Sequence, residues 1–501
     1  MATPGTGPIL GGDATGASSH ASSSSESDSA SMPAYVRVIL LGAHGQCVLM
    51  ERLDDSSWDL PYFVYPSRFE VEQVCQDVLQ ALAPQSTNTF FTVNCDLFGA
   101  FGCLGRAKTS SDEDLGIAAL LLVESHGHEV QAPSRYSWKT AVEVADLRDD
   151  DDLYQSTAVD IVCKLLSGDA SSVLSVVVDP RYQLGWFNRA ASWLSSFVAG
   201  RGAAVRGRVT QVQVSPAATI LMVDSTAGVF YLKAAGLGNR EVQLTQTVSS
   251  LFPSYTLEVV ATHVDLNCFV SPAFSPLPDD TEYTRYAGLL GQLQIESRQH
   301  LDALLVAGLP DRCPAQLAAE LLKWVDDDLL RGWFGHPLRY ARLAKYVPHL
   351  VTLCHQLTRS AVPMTLVHGD VSRRNMAVAD EDRPLLFDWE FACIGHPFYD
   401  WHELHTELSD KARRVYLDLY LDSYGKYGTV DELQSLYSAG RTLGWCIKMW
   451  HSLEQARACD VEFASSHMEN FLSYWELALD GLMEVGPPGV PRDVGPRWTF
   501  G

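Results

Sequence analysis

Two short apolar runs in the second half of the chain are each followed by an aspartate. Residues 364–367 and 384–387 have the length and composition of buried strands. Asp370 follows the first run, Asp388 directly follows the second, and Asn375 lies in the polar segment between the two runs. The pattern predicts two strands joined by a polar loop that carries or borders these three side chains.

Upstream of these runs, alternating apolar and polar positions predict a β-meander followed by a helix. Lys233 lies near the end of the third strand of this meander, and Glu241 begins the helix predicted over 241–251. The predicted strands are 205–216, 218–225 and 228–235, followed by 257–262 and 267–271.

Most of the remaining second half has the apolar spacing of amphipathic helices. An aromatic helix is predicted over 186–198, before the meander. The other predicted helices are 282–308, 314–330, 337–359, 401–424, 430–452 and 461–483. Strands followed by many helices predict an α+β fold.

The first part of the chain predicts a separate small domain of mixed strands and helices. Two strands are expected on either side of a turn at 43–45, with a further strand at 117–124. Helices are expected at 70–82, 140–147 and 157–166. Residues 1–32 are rich in Ser and Gly, and we expect a disordered tail. Residues 486–501 are rich in Pro and Gly, and we expect this tail to lie loosely on the surface.

Composition and charge exclude several classes of protein. The formal net charge of -24, without a cluster of Lys and Arg, disfavours binding to nucleic acid. No apolar run approaches the ~18 residues that span a bilayer, and the start of the chain lacks the pattern of a secretory signal. The 11 cysteines are scattered without CxxC spacing, which favours reduced thiols. We therefore expect a cytoplasmic protein that binds neither membrane nor nucleic acid.

The polar residues around the two apolar runs suit phosphoryl transfer. One carboxylate, Asp370, can orient an attacking hydroxyl, while the amide oxygen of Asn375 and the carboxylate of Asp388 can hold Mg²⁺ on the phosphates of ATP. A strand lysine such as Lys233 can reach the α- and β-phosphates, and Glu241 can fix it by a charge-assisted hydrogen bond. These residues predict a kinase that acts on a small hydroxyl compound.

The string HGDVSRRN at 368–375, followed by FDWE at 387–390, resembles the aminoglycoside phosphotransferase and choline kinase family. The resemblance covers roughly 185–485 and implies a two-lobed protein-kinase-like fold. It implies that Asp370 is the catalytic base, that Asn375 and Asp388 bind magnesium, and that Lys233 and Glu241 hold the nucleotide. It also implies that His368 fixes the loop backbone and that Asp400 caps a helix. The chain departs from the family pattern at Arg373 and Arg374 and in lacking a GxGxxG loop.

The N-terminal part, with WDLP at 58–61 before a predicted helix, resembles the Nudix hydrolase fold. In that family the helix carries an Arg-Glu followed by paired glutamates that chelate magnesium. In this chain Gln76-Asp77 and Gln80-Ala81 stand at those positions, so the ligand set is missing. The resemblance implies a Nudix-like α/β/α domain without hydrolase activity.

The predicted domains are a tail at 1–32, a Nudix-like domain at 33–150, connecting helices and a β-rich lobe at 151–275, a helical lobe at 276–485, and a tail at 486–501. Three functions remain open: an ATP-dependent metabolite kinase, a pseudokinase that binds nucleotide without transfer, and a Nudix-type pyrophosphohydrolase. For an amine-bearing acceptor, a pocket is expected from Trp401, His402, Glu403, Trp445, Trp450 and His451, although ordinary helix packing would also explain these residues. The oligomeric state is not indicated.

Overall fold

A computed structural model describes most of the chain between residues 34 and 485. The described residues are 34–41, 47–52, 58–65, 92–94, 107–108, 114–115, 117–124, 134–148, 153–167, 180–182, 185–214, 218–236, 239–276, 283–334, 337–379, 383–458 and 461–485. Among these residues, no helix is both long and apolar enough to cross a membrane.

The described residues form two compact units, each assembled from two stretches of chain. The first, which we call the strand-rich unit, comprises residues up to 239 together with 260–272. The second, the helical unit, comprises 240–259 and the residues after 272. Asp370, Asn375, Asp388 and Glu241 belong to the helical unit, whereas Lys233 belongs to the strand-rich unit.

The strand-rich unit begins with a mixed seven-stranded sheet. Its elements, with a separate two-stranded ladder of β6 and β7, are β1 (Ala34–Leu41), β2 (Cys47–Arg52), β3 (Trp58–Asp59), β4 (Tyr62–Tyr65), β5 (Thr92–Asn94), β6 (Ala107–Lys108), β7 (Asp114–Leu115), β8 (Ile117–Glu124), β9 (Tyr136–Thr140), α1 (Ala141–Ala145) and α2 (Leu153–Leu166). β1 pairs parallel with β8 and antiparallel with β2, so the two strands expected at the start of the chain and the strand at 117–124 are confirmed. The predicted helix at 70–82 and the turn at 43–45 lie outside the described residues, and the Nudix-like interpretation stays a prediction.

A five-stranded antiparallel sheet follows, in the order β10-β11-β12-β14-β13. Its elements are α3 (Trp186–Gly200), β10 (Thr210–Val214), β11 (Ala218–Ser225), β12 (Gly228–Ala235), β13 (Ala261–His263) and β14 (Cys268–Pro272). Trp186, Leu194 and Val198 of α3 share a buried core with apolar residues of the sheet. The predicted meander is confirmed, and Lys233 lies on β12 opposite Ile220 and Phe269.

The helical unit is built around the long helix α12 (Val430–Ala458), which packs along α13 (Val461–Val485). Its helices are α4 (Glu241–Leu251), α5 (Tyr283–Ser297), α6 (Leu301–Val306), α7 (Pro314–Trp324), α8 (Asp328–Trp333), α9 (Pro337–Thr358), α10 (Trp401–Glu407), α11 (Asp410–Asp422), α12 (Val430–Ala458) and α13 (Val461–Val485). A large core of tryptophan, tyrosine and leucine side chains fills the space between the helices. The α+β fold class is confirmed.

The predicted helices 282–308, 314–330 and 401–424 are each divided into two shorter ones, and the last two show why. The prediction of one helix over 401–424 is wrong because Ser409 caps α11 by accepting a hydrogen bond from the N–H of Ala412. Asp327 likewise accepts from the N–H of Leu330 and begins α8 within the predicted span 314–330. Short polar residues at the new N-termini were the available signal in both cases.

Two small β-ladders in the helical unit contain the two apolar runs that precede Asp370 and Asp388. They are formed by β15 (Ser275–Pro276), β16 (Thr365–Val367), β17 (Met376–Ala379), β18 (Arg383–Leu386) and β19 (Cys393–Gly395). β16 pairs with β19, and β17 pairs with β15 and β18, all antiparallel. The two predicted strands are confirmed at β16 and β18.

We expect Gly444 to be essential for the close packing of α12 against Tyr399 and His402. A Cβ at Gly444 would overlap the carbonyl oxygen of Tyr399 and lie 2.8 Å from the Cβ of His402. Gly444→Ala should therefore lower the free energy of unfolding by about 1–3 kcal/mol, measured by urea denaturation.

The matched control is Gly332→Ala in α8, where an added Cβ meets nothing within 4 Å. This substitution should leave stability unchanged or raise it by up to ~1 kcal/mol. Equal effects of the two substitutions would contradict the packing assigned to α12.

Candidate functional site

The loop between β16 and β17 needs a glycine at its second position. Gly369 has a φ of 80°, and a Cβ added there would lie 2.5 Å from the carbonyl oxygen of Phe391. A larger residue would meet both backbone strain and a steric clash. The loop can therefore pack this closely against the segment that follows Asp388 only with glycine at this position.

The buried carboxylate of Asp400 holds the loop backbone. It accepts hydrogen bonds from the N–H groups of Gly369 at 2.6 Å and His368 at 3.1 Å, and from the side chain of Gln294 at 2.8 Å. Burial raises the pKa of Asp400 to about 7, although the two backbone N–H groups act in the opposite direction. Asp400 does stand at the N-terminus of α10, but its side chain makes no capping hydrogen bond. The expectation that it caps a helix is therefore wrong.

His368 links the loop to the strand that leads to Asp388. Its Nε2 lies 2.9 Å from the carbonyl oxygen of Phe387, and its Nδ1 accepts from the N–H of Asp370 at 3.3 Å. Burial lowers the pKa of His368, which suits a neutral imidazole that donates through Nε2. This geometry agrees with the structural role expected for His368.

Asp370 and Asn375 lie side by side. The Nδ2 of Asn375 donates to the backbone oxygen of Asp370 at 2.9 Å and to its carboxylate at 2.7 Å. These two bonds use both amide hydrogens, so the amide oxygen is the atom of Asn375 that can bind a cation.

A lysine that the sequence reasoning missed lies against Asp370. The ammonium of Lys448 contacts Oδ1 of Asp370 and lies 2.6 Å from Oε2 of Glu403. Only 5% of the Lys448 side chain is exposed, against 14% for each carboxylate. Lys448 stands in the apolar run Trp445-Cys446-Ile447-Lys448-Met449-Trp450, and a charge inside such a run was the only signal in the sequence.

The pKa values in this cluster follow from burial and mutual attraction. Burial would raise the pKa of Asp370, but the Lys448 ammonium and the hydrogen bond with Glu403 hold it well below its usual range. Burial would lower the pKa of Lys448, but Asp370 and Glu403 raise it. For Glu403, burial and the negative charge of Asp370 raise the pKa to about 7. Lys448 is therefore protonated and Asp370 ionised at neutral pH.

A second group of carboxylates contains Asp388. Oxygen atoms of Glu241, Asp388 and Glu390 all lie within 4.8 Å of one another. Asp388 has a φ of 70°, a conformation that is uncommon for a residue other than glycine and is concentrated at functional sites. Three convergent carboxylates are the oxygen donors that a hard divalent cation such as Mg²⁺ prefers, so the chemistry of the donor set fits this metal.

The structure thus divides the predicted site residues among three separate groups. Asp370 and Asn375 are joined by hydrogen bonds, and Asp388 is grouped with Glu241. Lys233 lies on β12 of the strand-rich unit, and its pairing with Glu241 stays a prediction.

The aromatic residues expected around an amine differ in what they contact. Trp401 packs edge-on against Tyr416 and Tyr437 in the core, and Trp450 stacks on Arg312. Packing thus accounts for these two tryptophans. Glu403 alone of the six expected residues makes an ion pair with Lys448 among the described residues.

Residues 253–436 match the model of the phosphotransferase enzyme family. This match confirms the resemblance seen in the catalytic string, and it supports a small-molecule phosphotransferase. It does not extend to the N-terminal part of the chain.

One curated protein, the uncharacterized MG356 homolog of Mycoplasma pneumoniae, is 29% identical over 91 residues, which are 18% of this chain and 32% of that protein. The chain thus spans about a third of the length of this relative.

Solved structures with similar folds include three phosphotransferases. Macrolide 2'-phosphotransferase type I is 15% identical, with a TM-score of 0.41, over 56% of this chain and 96% of its own. Choline kinase LicA from Streptococcus pneumoniae is 14% identical, with a TM-score of 0.42, over 59% of this chain and 99% of its own. Plasmodium vivax ethanolamine kinase is 14% identical, with a TM-score of 0.43, over 62% of this chain and 93% of its own.

The role of Asp400 in holding the loop can be tested by Asp400→Asn. The amide replaces one acceptor oxygen by an NH₂ group, which must then face a backbone N–H or the Gln294 amide. We expect the free energy of unfolding to fall by about 1–3 kcal/mol, measured by urea denaturation.

Asp410→Asn serves as the control, because Asp410 begins α11, is 85% exposed and pairs only with Arg413 among the described residues. Its effect should stay below ~1 kcal/mol. If Asp400→Asn were as mild as Asp410→Asn, the loop would not depend on the Asp400 carboxylate.

Proposed function

We propose that this chain, whose residues 253–436 match the phosphotransferase enzyme family, transfers the γ-phosphoryl group of ATP to a hydroxyl group of a small molecule. The observation that carries the proposal is the fixed pair of Asp370 and Asn375 on one buried loop, together with the carboxylates that converge around Asp388. Phosphoryl transfer requires a group that orients the nucleophile and a separate group of oxygen donors for the metal.

Asp370 is the residue that orients the acceptor hydroxyl. Its carboxylate is ionised and is held in place by the Asn375 amide at 2.7 Å. An ionised carboxylate can accept a hydrogen bond from the hydroxyl and receive its proton as the phosphoryl group arrives. Because the transition state is loose, we expect positioning to contribute more than proton abstraction.

Asn375 and Asp388 are the proposed ligands of Mg²⁺. Asn375 offers an amide oxygen, and Asp388 offers a carboxylate beside those of Glu241 and Glu390. Magnesium, when bound, would neutralise charge on the transferred phosphates. Lys233 would hold the nucleotide phosphates, with Glu241 as its partner.

A second candidate function is nucleotide binding without transfer. The observation that favours it is the ion pair between Lys448 and Asp370, because the carboxylate that would orient the acceptor already has a cationic partner. The two functions differ in a simple measurement. ATP turnover with a panel of hydroxyl metabolites supports the kinase, whereas thermal stabilisation by ATP without turnover supports the binding protein.

Asp370→Asn should lower kcat by about 100-fold or more and leave the affinity for magnesium and ATP within about threefold of wild type. The amide keeps the shape of the side chain but cannot receive a proton or carry the negative charge. Steady-state kinetics with labelled ATP and calorimetric nucleotide titration measure the two quantities.

Asp418→Asn on the exposed face of α11 is the matched control and should be as active as wild type. Wild-type turnover by Asp370→Asn would remove Asp370 from the reaction.

Asp388→Asn should weaken magnesium-dependent ATP binding by about tenfold or more. Asparagine tolerates the left-handed backbone conformation of Asp388, so this change removes charge without the added strain that alanine would bring. The measurement is calorimetric titration of ATP with and without Mg²⁺. If both titrations matched those of wild type, Asp388 would not be a metal ligand.

A further inference from the structure

The ammonium of Lys448 lies in surroundings that proteins use to bind a cationic ligand. Its Nζ lies 5.0 Å from the ring centre of Phe391 and 5.4 Å from that of Tyr474. The carboxylates of Asp370 and Glu403 complete the enclosure. Aromatic faces and carboxylates together are the groups that recognise ammonium ions.

The position of Lys448 is fixed by the packing of α12. The buried guanidinium of Arg312 donates to the carbonyl oxygen of Ile447 at 3.0 Å, directly before the lysine. One turn earlier, Gly444 lets the helix approach Tyr399 and His402 closely. Lys448 therefore extends from a rigid helix, and its charge is a permanent part of the site.

We propose that Lys448 occupies the cation position of the acceptor site, so that the acceptor is an uncharged hydroxyl compound such as a sugar or polyol and not an ammonium alcohol. This inference rests on the proposed function, because it places the acceptor beside Asp370. It replaces the amine-bearing acceptor that the aromatic and acidic residues of the sequence suggested.

The balance of charge around Asp370 supports an uncharged acceptor. Asp370 is ionised and Lys448 and Arg374 are cationic, whereas burial raises the pKa values of Glu403 and Glu407 and so reduces the negative charge that they carry at neutral pH. Both cations already pair with Glu403. The Lys448 ammonium would repel a second cation. An anion would be repelled by the carboxylates, and the two cations that could attract it are already paired. In buried surroundings such like-charge contacts are strongly unfavourable.

The first test removes the resident cation. Lys448→Met keeps most of the length of the side chain and leaves the two carboxylates and two rings for an external cation. We expect ammonium or methylammonium ions at millimolar concentration, which are close in size to the group removed, to raise the thermal midpoint of Lys448→Met by about 2 °C or more and to leave that of the wild type unchanged.

Lys345→Met is the matched control. Lys345 also lies over a tyrosine ring, at 5.2 Å from Tyr346, but its side chain is exposed. This variant should respond to the two cations no more than wild type does. If wild type and Lys448→Met were stabilised equally by methylammonium, Lys448 would not occupy the cation position.

The second test uses wild-type protein, so the proposal stays falsifiable if Lys448→Met fails to fold. Choline is compared with its neutral analogue, in which carbon replaces the nitrogen, as acceptors for labelled phosphate from ATP, with glucose and inositol as polyol probes. We expect kcat/KM for the neutral analogue to exceed that for choline by at least tenfold. A preference for choline of that size would overturn the proposal.

The two tests separate this inference from the proposed function. If no compound is phosphorylated although ATP binds, phosphoryl transfer is excluded. The response of Lys448→Met to ammonium ions still decides whether Lys448 fills a cation position.

Discussion

The ion pair between Lys448 and Asp370 is the contact on which the candidate site depends. A carboxylate in the interior must be paired and hydrogen-bonded, because an unpaired buried charge is strongly destabilising. Lys448 provides the charge, and Asn375 provides the hydrogen bond. The ion pair also connects the loop between β16 and β17 to α12, the helix that packs along α13.

The same constraint explains why the surroundings of the loop are polar although they are buried. Gly369 lets the loop pack against Phe391, and the loop N–H groups that would otherwise lack acceptors are satisfied by the Asp400 carboxylate. Asp400, in turn, is held by Gln294 of α5. The Asp400 carboxylate thus binds the backbone directly before Asp370, the carboxylate that we propose orients the acceptor.

The sequence was most informative where function depends on neighbours along the chain. The sequence predicted one strand before Asp370 and another before Asp388, and β16 and β18 lie at these places. Strand β17, which begins directly after Asn375, was not predicted. Lys448 could not be assigned in the same way, because its partner Asp370 is 78 residues away and only the folded helices bring them together. The breaks at Asp327 and Ser409 were missed because apolar spacing continues across them, and the short strands β17 and β19 have too few residues for a clear alternation.

The proposed phosphotransferase forms a phosphate ester on an acceptor hydroxyl. Phosphorus NMR of wild-type protein with magnesium, ATP and a panel of polyols detects this product, because it distinguishes a phosphate monoester from inorganic phosphate. We expect a new monoester signal together with ADP. If ATP remained intact with every acceptor, although it binds and stabilises the protein, the proposed phosphoryl transfer would be wrong.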